Sequence, residues 1–88
     1  MNLTPLKYKD FTIVTGEMTY AYRFIPRDEL DLQFTVMSDG AIHLTEYPLM
    51  EESEEPTDIF IGEVNSIEQA LVLFDMINAI NTSGTHGI

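Results

Sequence analysis

Residues 66–80, S-I-E-Q-A-L-V-L-F-D-M-I-N-A-I, decide the fold class, because they predict the only long helix of the chain. Ser66 is an N-cap residue, and Gln69 three positions later can complete a capping box. At about 100° per residue the apolar side chains share one broad arc, which leaves a narrow polar stripe at Glu68 and Asp75. The arc consists of Ala70, Leu73, Phe74, Met76, Ile77 and Ile80, with Ile67 and Leu71 at its edge. Such a helix must pack on another layer, and the rest of the chain predicts strands.

The first two strands are predicted at residues 11–15 and 18–25, where the hydrophobic pattern alternates. Between them, Gly16-Glu17 fits a two-residue hairpin turn with glycine at the first central position. That register sets Ile13 opposite Tyr20, so the aromatic residues of the second strand face the core.

A second hairpin is predicted around residues 38–40, S-D-G, after the regularly alternating strand 30–36. A three-residue loop with its glycine in the left-handed conformation sets Val36 opposite Ile42. A two-residue loop would set Val36 opposite His43. The three-residue loop is preferred because it pairs apolar with apolar side chains.

The fourth strand is predicted at residues 41–47, and the acidic, proline-containing segment 48–57 predicts the longest loop. The apolar run 59–61 predicts a short fifth strand that is covered on both faces. Residues 82–88 predict a flexible tail after the helix. The chain, residues 1–88, is therefore expected to form one α+β domain: an antiparallel β-meander of about five strands (β-β-β-β-β-α) with the C-terminal helix packed on one face.

Alternation divides the strand residues into a buried set and an outer set. The buried set is Phe11, Ile13, Tyr20, Tyr22, Phe24, Leu32, Phe34, Val36, Ile42 and Leu44, together with the helix arc. The outer set is Thr12, Val14, Thr19, Arg23, Ile25, Gln33, Thr35, Met37, His43, Thr45 and Tyr47.

The charge of the chain is its most unusual property. Fifteen acidic residues against four basic ones give a net charge of −11, and no Lys or Arg follows Arg27. So negative a surface repels nucleic acid and anionic membranes and favours basic protein surfaces. Direct binding to nucleic acid or to a membrane is therefore not expected.

The chain contains no cysteine, so disulfides and thiolate metal sites are excluded. No segment approaches the roughly 20 apolar residues of a membrane span, and the first residues lack the apolar run of a signal peptide. A soluble cytoplasmic protein is expected.

The glutamate-rich segment 48–57 is the first candidate for a functional site. Three interpretations stay open: a solvated loop that keeps the protein soluble, a surface that enters a basic groove of a partner protein, and a site for a hard cation such as Ca²⁺. The ligand spacing of an EF-hand is missing, so neither a metal nor a cofactor is predicted. The predicted partner-binding residues are Glu46, Tyr47, Leu49, Met50, Glu51, Glu52, Glu54, Glu55 and Asp58.

Catalytic residues are not indicated. The two histidines, His43 and His86, lie on the predicted outer face and in the tail, where no spacing demands a metal or a catalytic base. The sequence has no G-x-S-x-G motif and no Gly-rich phosphate loop. Carboxylates in an exposed loop do not acquire the different environments that an acid/base pair needs. The chain is predicted not to be an enzyme.

These observations predict a non-catalytic acidic protein that occupies a basic, nucleic-acid-binding surface of a partner protein by charge mimicry. In size, charge and fold class, but in no sequence motif, the chain is similar to the small inhibitors that phages and mobile elements make against nucleic-acid-handling host proteins. It is similar in the same respects to immunity proteins that cap toxic nucleases. The alternative is a small structural or regulatory homo-oligomer, such as a homodimer, that associates through the outer sheet face or an edge strand.

Overall fold

The computed structural model describes residues 1–27, 30–48 and 55–86, with the backbone alone for residues 80–86. Five antiparallel strands form one sheet in which spatial order follows chain order, and a helix follows the last strand. The elements are β1 (Thr12–Val14), β2 (Tyr20–Pro26), β3 (Leu30–Met37), β4 (Ala41–Pro48), β5 (Thr57–Glu63) and α1 (Ile67–His86). This arrangement confirms the predicted α+β meander.

Helix α1 begins at the predicted cap. The backbone N–H of Gln69 donates to Ser66 Oγ over 3.2 Å. The side-chain oxygen of Gln69 accepts from the backbone N–H of Asn65 over 2.7 Å, one residue before the partner that a capping box uses. The helix runs on to His86, although the sequence predicted an end near Ile80.

Helix α1 packs through Phe74, which is buried in the core. Its ring centroid lies 5.4 Å from that of Phe11 and 5.4 Å from that of Phe34, both edge to face. Ala70, one turn earlier, is fully buried. Met76 was predicted in the buried arc but is 55% exposed, because it lies about 200° around the helix from Phe74.

The register of β1 against β2 differs by one residue from the prediction. Val14 lies opposite Tyr20 and Ile13 opposite Ala21, so residues 15–19 connect the strands instead of a two-residue turn. Because side chains alternate along a strand, a shift of one residue moves every side chain to the other face. The predicted orientation of β2 was therefore wrong.

Ala21, Arg23 and Ile25 face the core, and the aromatic residues of β2 face away from it. Ala21 and Ile25 are buried opposite Val36 and Leu32 of β3. Arg23 and Ile25 had been predicted on the outer face. The residues that had been predicted as buried but lie on the outer face are Tyr20, Tyr22 and Phe24.

The hairpin between β3 and β4 has the predicted register, with Val36 opposite Ile42. Gly40 has φ of +99°, the left-handed conformation expected for this loop. Asp39 Oδ1 accepts from the backbone N–H of Ala41 over 3.0 Å, which completes the turn.

An N-terminal 3₁₀ helix, Thr4–Lys9, was not predicted. It completes the core because Leu3 and Leu6 are buried there. Residues three apart eclipse one another in a 3₁₀ helix, so this spacing presents both leucines on one side. Pro5 at the start of the helix was a signal for it in the sequence.

Strand β5 is longer and more exposed than predicted. Ile59, Phe60 and Ile61 are 48%, 43% and 63% exposed, so the prediction that both faces are covered was wrong. The pairing with β4 shifts between Leu44 and Thr45, and this irregularity leaves Ile59 without a partner residue.

Candidate binding face

The sheet face opposite α1, here called the outer face, is negatively charged. Its strand positions in the described part of the chain hold the carboxylates Asp31, Asp58 and Glu63 and no Lys or Arg. Lys7 and Lys9 belong to the 3₁₀ helix. Arg23 lies on the opposite face of the sheet, and Arg27 follows the end of β2 at Pro26.

The guanidinium of Arg23 is held on the core side of the sheet. Its Cζ lies 4.8 Å from the centroid of the Phe74 ring, a cation–π contact. Its Nη1 donates to the backbone carbonyl of Lys9 over 3.1 Å, which ties β2 to the end of the 3₁₀ helix. These contacts keep its positive charge away from the outer face.

A continuous row of aromatic rings crosses the outer face. This aromatic ridge consists of Tyr20, Tyr22 and Phe24 at alternate positions of β2 and Tyr47 of β4. Successive ring centroids are 6.3, 5.8 and 5.9 Å apart, within the range of favourable aromatic pairs. Phe24 is 44% exposed. Partly exposed aromatic side chains of this kind are typical anchors of protein interfaces.

A groove of about 270 Å³ lies beside the ridge and opens to solvent. Tyr20 lines it from β2, and Gln33, Thr35 and Met37 line it from β3. The remaining lining residues are His43, Thr45 and Tyr47 of β4 and Asp58 of β5. The groove therefore combines two tyrosines, a methionine, a histidine and three neutral polar side chains with one carboxylate.

The carboxylate of Asp58 is held in place at this groove. Thr45 Oγ1 donates to Asp58 Oδ1 over 2.8 Å. His43 Nδ1 lies 3.6 Å from Asp58 Oδ2, which makes an ion pair when the imidazole is protonated. The Asp58 side chain is 46% exposed, so it is oriented by the sheet and still open to a ligand.

The predicted partner-binding residues fall into three groups. Tyr47 and Asp58 lie together at the groove. Glu46 lies on the other face of β4, opposite Leu32, and Glu55 is exposed ahead of β5. The members that lie outside the described residues are Leu49, Met50, Glu51, Glu52 and Glu54.

The aromatic ridge was missed because the orientation of β2 was inferred from the first hairpin alone. Pairing the apolar residues of β2 with apolar residues of β3 would have predicted the ridge. That criterion pairs Ile25 with Leu32 and Ala21 with Val36, as observed, and turns the aromatic residues outward.

Within the described residues, no group of three or more His, Asp or Glu side chains is placed to hold a metal ion. No helix in the same part of the chain is both long enough and apolar enough to cross a membrane. No protein-family model, no curated protein and no solved structure matches the chain significantly.

Proposed function

We propose that this protein is a non-catalytic binding protein that occupies a basic surface of a partner protein, such as one that handles nucleic acid. The observation that carries the proposal is the outer face, where an aromatic ridge and three carboxylates lie together without a Lys or Arg among the described positions. Aromatic side chains supply contact area and charge complementarity supplies selectivity and fast association.

The acidic segment 48–57 joins the two strands that carry Tyr47 and Asp58. By sequence its four glutamates lie between these two residues, so the chain that joins the two strands carries four negative charges. A basic nucleic-acid-binding site offers complementary charge, which is the reason to propose inhibition by charge mimicry.

The test is capture of partners from a nuclease-treated lysate at low salt, followed by elution with a salt gradient. We expect one basic nucleic-acid-binding protein to be retained near physiological salt and to be displaced by DNA. If many basic proteins instead leave together at modest salt, the negative charge serves solubility and the proposal fails.

The contribution of the acidic segment is tested with a variant in which Glu51, Glu52, Glu54 and Glu55 are all replaced by Gln. Association with the captured partner should slow by about tenfold at low salt, because electrostatic steering depends on local charge. The matched control changes the same number of charges elsewhere, with Asp10→Asn, Glu17→Gln, Glu68→Gln and Asp75→Asn. Equal slowing in both variants would mean that net charge alone matters.

The free edge of β5 supports a second candidate, the homodimer. The strand has seven residues with three exposed apolar side chains, whereas β1 at the other edge has three residues. An exposed apolar edge strand is a template for pairing with another chain.

Antiparallel pairing of two β5 strands centred on Phe60, with Ile59 left out of the ladder as it is against β4, would set Ile61 opposite Asp58 of the second copy. The same register sets Gly62 opposite Thr57, so no two carboxylates of the strand face each other. This arrangement avoids the like-charge pairs that destabilise sheets.

The salt dependence of association distinguishes the two candidate functions. Binding to a basic partner should weaken as salt rises, whereas self-association of a chain with a net charge of −11 should strengthen. Light scattering across protein concentration and salt reads out the mass of the particle. A dimer that Ile61→Lys dissociates, and that Val72→Lys on the exposed side of α1 leaves intact, would favour the homodimer. A monomer under all conditions would exclude it.

A further inference from the structure

We propose that the groove on the outer face binds an arginine side chain of the basic partner, with the guanidinium group held between the aromatic ridge and Asp58. This inference rests on the proposed function and adds to it the chemical group that the groove recognises.

The walls of the groove suit a flat cation. Tyr47 lines it two residues along β4 from Thr45, which pairs with Asp58, and Tyr20 of β2 lines its other end, with Gln33 and Thr35 of β3 between them. Aromatic rings attract a cation that lies within about 6 Å of the ring centroid. The amide and hydroxyl groups of β3 are neutral, so within the described lining nothing repels a positive charge except His43 in its protonated form.

Asp58 supplies the negative charge that a guanidinium needs. Its carboxylate offers about four acceptor positions; the hydrogen bond from Thr45 occupies one of them on Oδ1, and His43 Nδ1 lies 3.6 Å from Oδ2. That hydrogen bond also fixes the orientation of the carboxylate, so a ligand does not have to order it on binding. Charge-assisted hydrogen bonds from N–H groups to such a carboxylate are the strong class of hydrogen bond.

Arginine fits this combination better than lysine. The guanidinium is planar, weakly hydrated and able to stack on an aromatic face while it donates two parallel hydrogen bonds to a carboxylate. An ammonium is a strongly hydrated point charge and gains less from a flat groove that stays open to water. Phosphate and other anions are disfavoured by Asp58 in the groove and by Asp31 and Glu63 elsewhere on the outer face.

The same pairing of guanidinium and ring occurs on the other side of the sheet. Arg23 lies 4.8 Å from the centroid of Phe74 and donates to a backbone oxygen. The groove offers a second guanidinium the equivalent partners, a tyrosine ring and a carboxylate oxygen, on the solvent-exposed face.

The experiment compares hexa-arginine and hexalysine peptides, which carry equal charge, on the isotope-labelled full chain by NMR at one fixed salt concentration. We expect hexa-arginine to shift the backbone signals of Thr35, Thr45 and Asp58 and to bind about fivefold more tightly than hexalysine.

Matched variants locate the binding site. Asp58→Asn and Tyr47→Leu should each weaken hexa-arginine binding about three- to fivefold and remove the preference over hexalysine. Asp75→Asn on α1 and Tyr8→Leu at an exposed position of the 3₁₀ helix make the same chemical changes away from the groove and should change binding less than about twofold. Asp58→Asn keeps the shape of the side chain, so it decides the question if Tyr47→Leu impairs folding.

Equal binding of the two peptides, with Asp58→Asn and Asp75→Asn equally weak, would overturn the arginine site. That result would not contradict the proposal of a basic partner, because the overall negative charge of the protein would then account for the binding of both peptides. Failure of the proposed function is recognised separately, by the release of many basic proteins together in the capture experiment.

Discussion

Gly40 meets two constraints at the turn between β3 and β4. Its φ of +99° is a conformation that residues with a Cβ rarely adopt. A Cβ built there would lie 2.6 Å from the backbone oxygen of Val64, and the carbonyl of Gly40 accepts from the N–H of Val64 over 2.8 Å. One residue thus forms the hairpin and anchors the segment that leads into α1.

Replacing Gly40 by alanine should lower the free energy of unfolding by about 1–3 kcal/mol, through backbone strain and displacement of Val64. Urea unfolding followed by circular dichroism measures the change. Gly16→Ala is the control, since a Cβ there meets nothing within 4 Å. Equal effects at the two glycines would contradict this account of the turn.

Phe74 connects α1 to the rest of the core through two aromatic rings and one cation. Phe74→Ala should destabilise the protein by about 3–5 kcal/mol, because it opens a cavity and removes the contacts with Phe11, Phe34 and Arg23. The same urea titration measures this loss. Met76→Ala, two residues along the helix and largely exposed, should stay within about 0.5 kcal/mol. A large effect at Met76 would mean that α1 is rotated relative to the sheet.

At the scale of elements, the orientation of β2 has an energetic consequence. Ile25 is buried opposite Leu32, whereas Phe24 is 44% exposed on the aromatic ridge. Ile25→Ala should therefore cost about 2–4 kcal/mol of stability, and Phe24→Ala no more than about 1–1.5 kcal/mol. Thermal unfolding of the two variants in parallel shows which of them loses more stability. The reverse order would support the opposite orientation of the strand.

Ser66 controls the beginning of α1. Ser66→Ala removes the acceptor for the N–H of Gln69 and should destabilise the protein by about 0.5–2 kcal/mol. Ser66→Asp should restore most of the loss, because aspartate caps a helix about as well as serine. Unfolding curves for the three proteins provide the measurement, and a failure of aspartate to rescue would assign the loss to another contact of the serine.

The net charge acts on the whole molecule. A charge of −11 destabilises the folded state by self-repulsion, which salt screens over about 10 Å at 0.1 M. Raising NaCl from about 10 to about 200 mM should therefore stabilise the protein by about 0.5–1 kcal/mol. Urea unfolding at several salt concentrations measures this. In the variant with four glutamines in place of the glutamates of segment 48–57, the same rise in salt should increase the stability less. An equal increase would mean that the repulsion arises from other carboxylates.

Part of the candidate site could be predicted from the sequence. Tyr47 and Asp58 were inferred to bind the partner because they flank the acidic segment, and they do lie at one groove. Glu46 was inferred for the same reason but lies on the other face, since neighbours along a strand point to opposite sides. Nearness in sequence thus predicted which end of the strands carries the candidate site, but not on which face of the sheet each side chain lies.

The sequence by itself determined the class of the fold, the order of its five strands and of α1, the capped start of α1 and the register of the β3–β4 hairpin. Helical periodicity, strand alternation and turn glycines are local properties, and a three-residue loop brings Val36 and Ile42 together without help from the rest of the chain. The negative charge is likewise a property of composition alone.

Only the tertiary structure decided which face of β2 is buried. Alternation looks the same after a slip of one residue, so the two registers of the first hairpin are locally indistinguishable. The choice depends on β3, which buries Ala21 and Ile25 against Val36 and Leu32 and turns the aromatic side chains outward. The aromatic ridge and the groove beside Asp58 are formed by side chains from separate strands. The hydrophobic pattern along a single strand cannot specify which side chains of other strands will lie beside it.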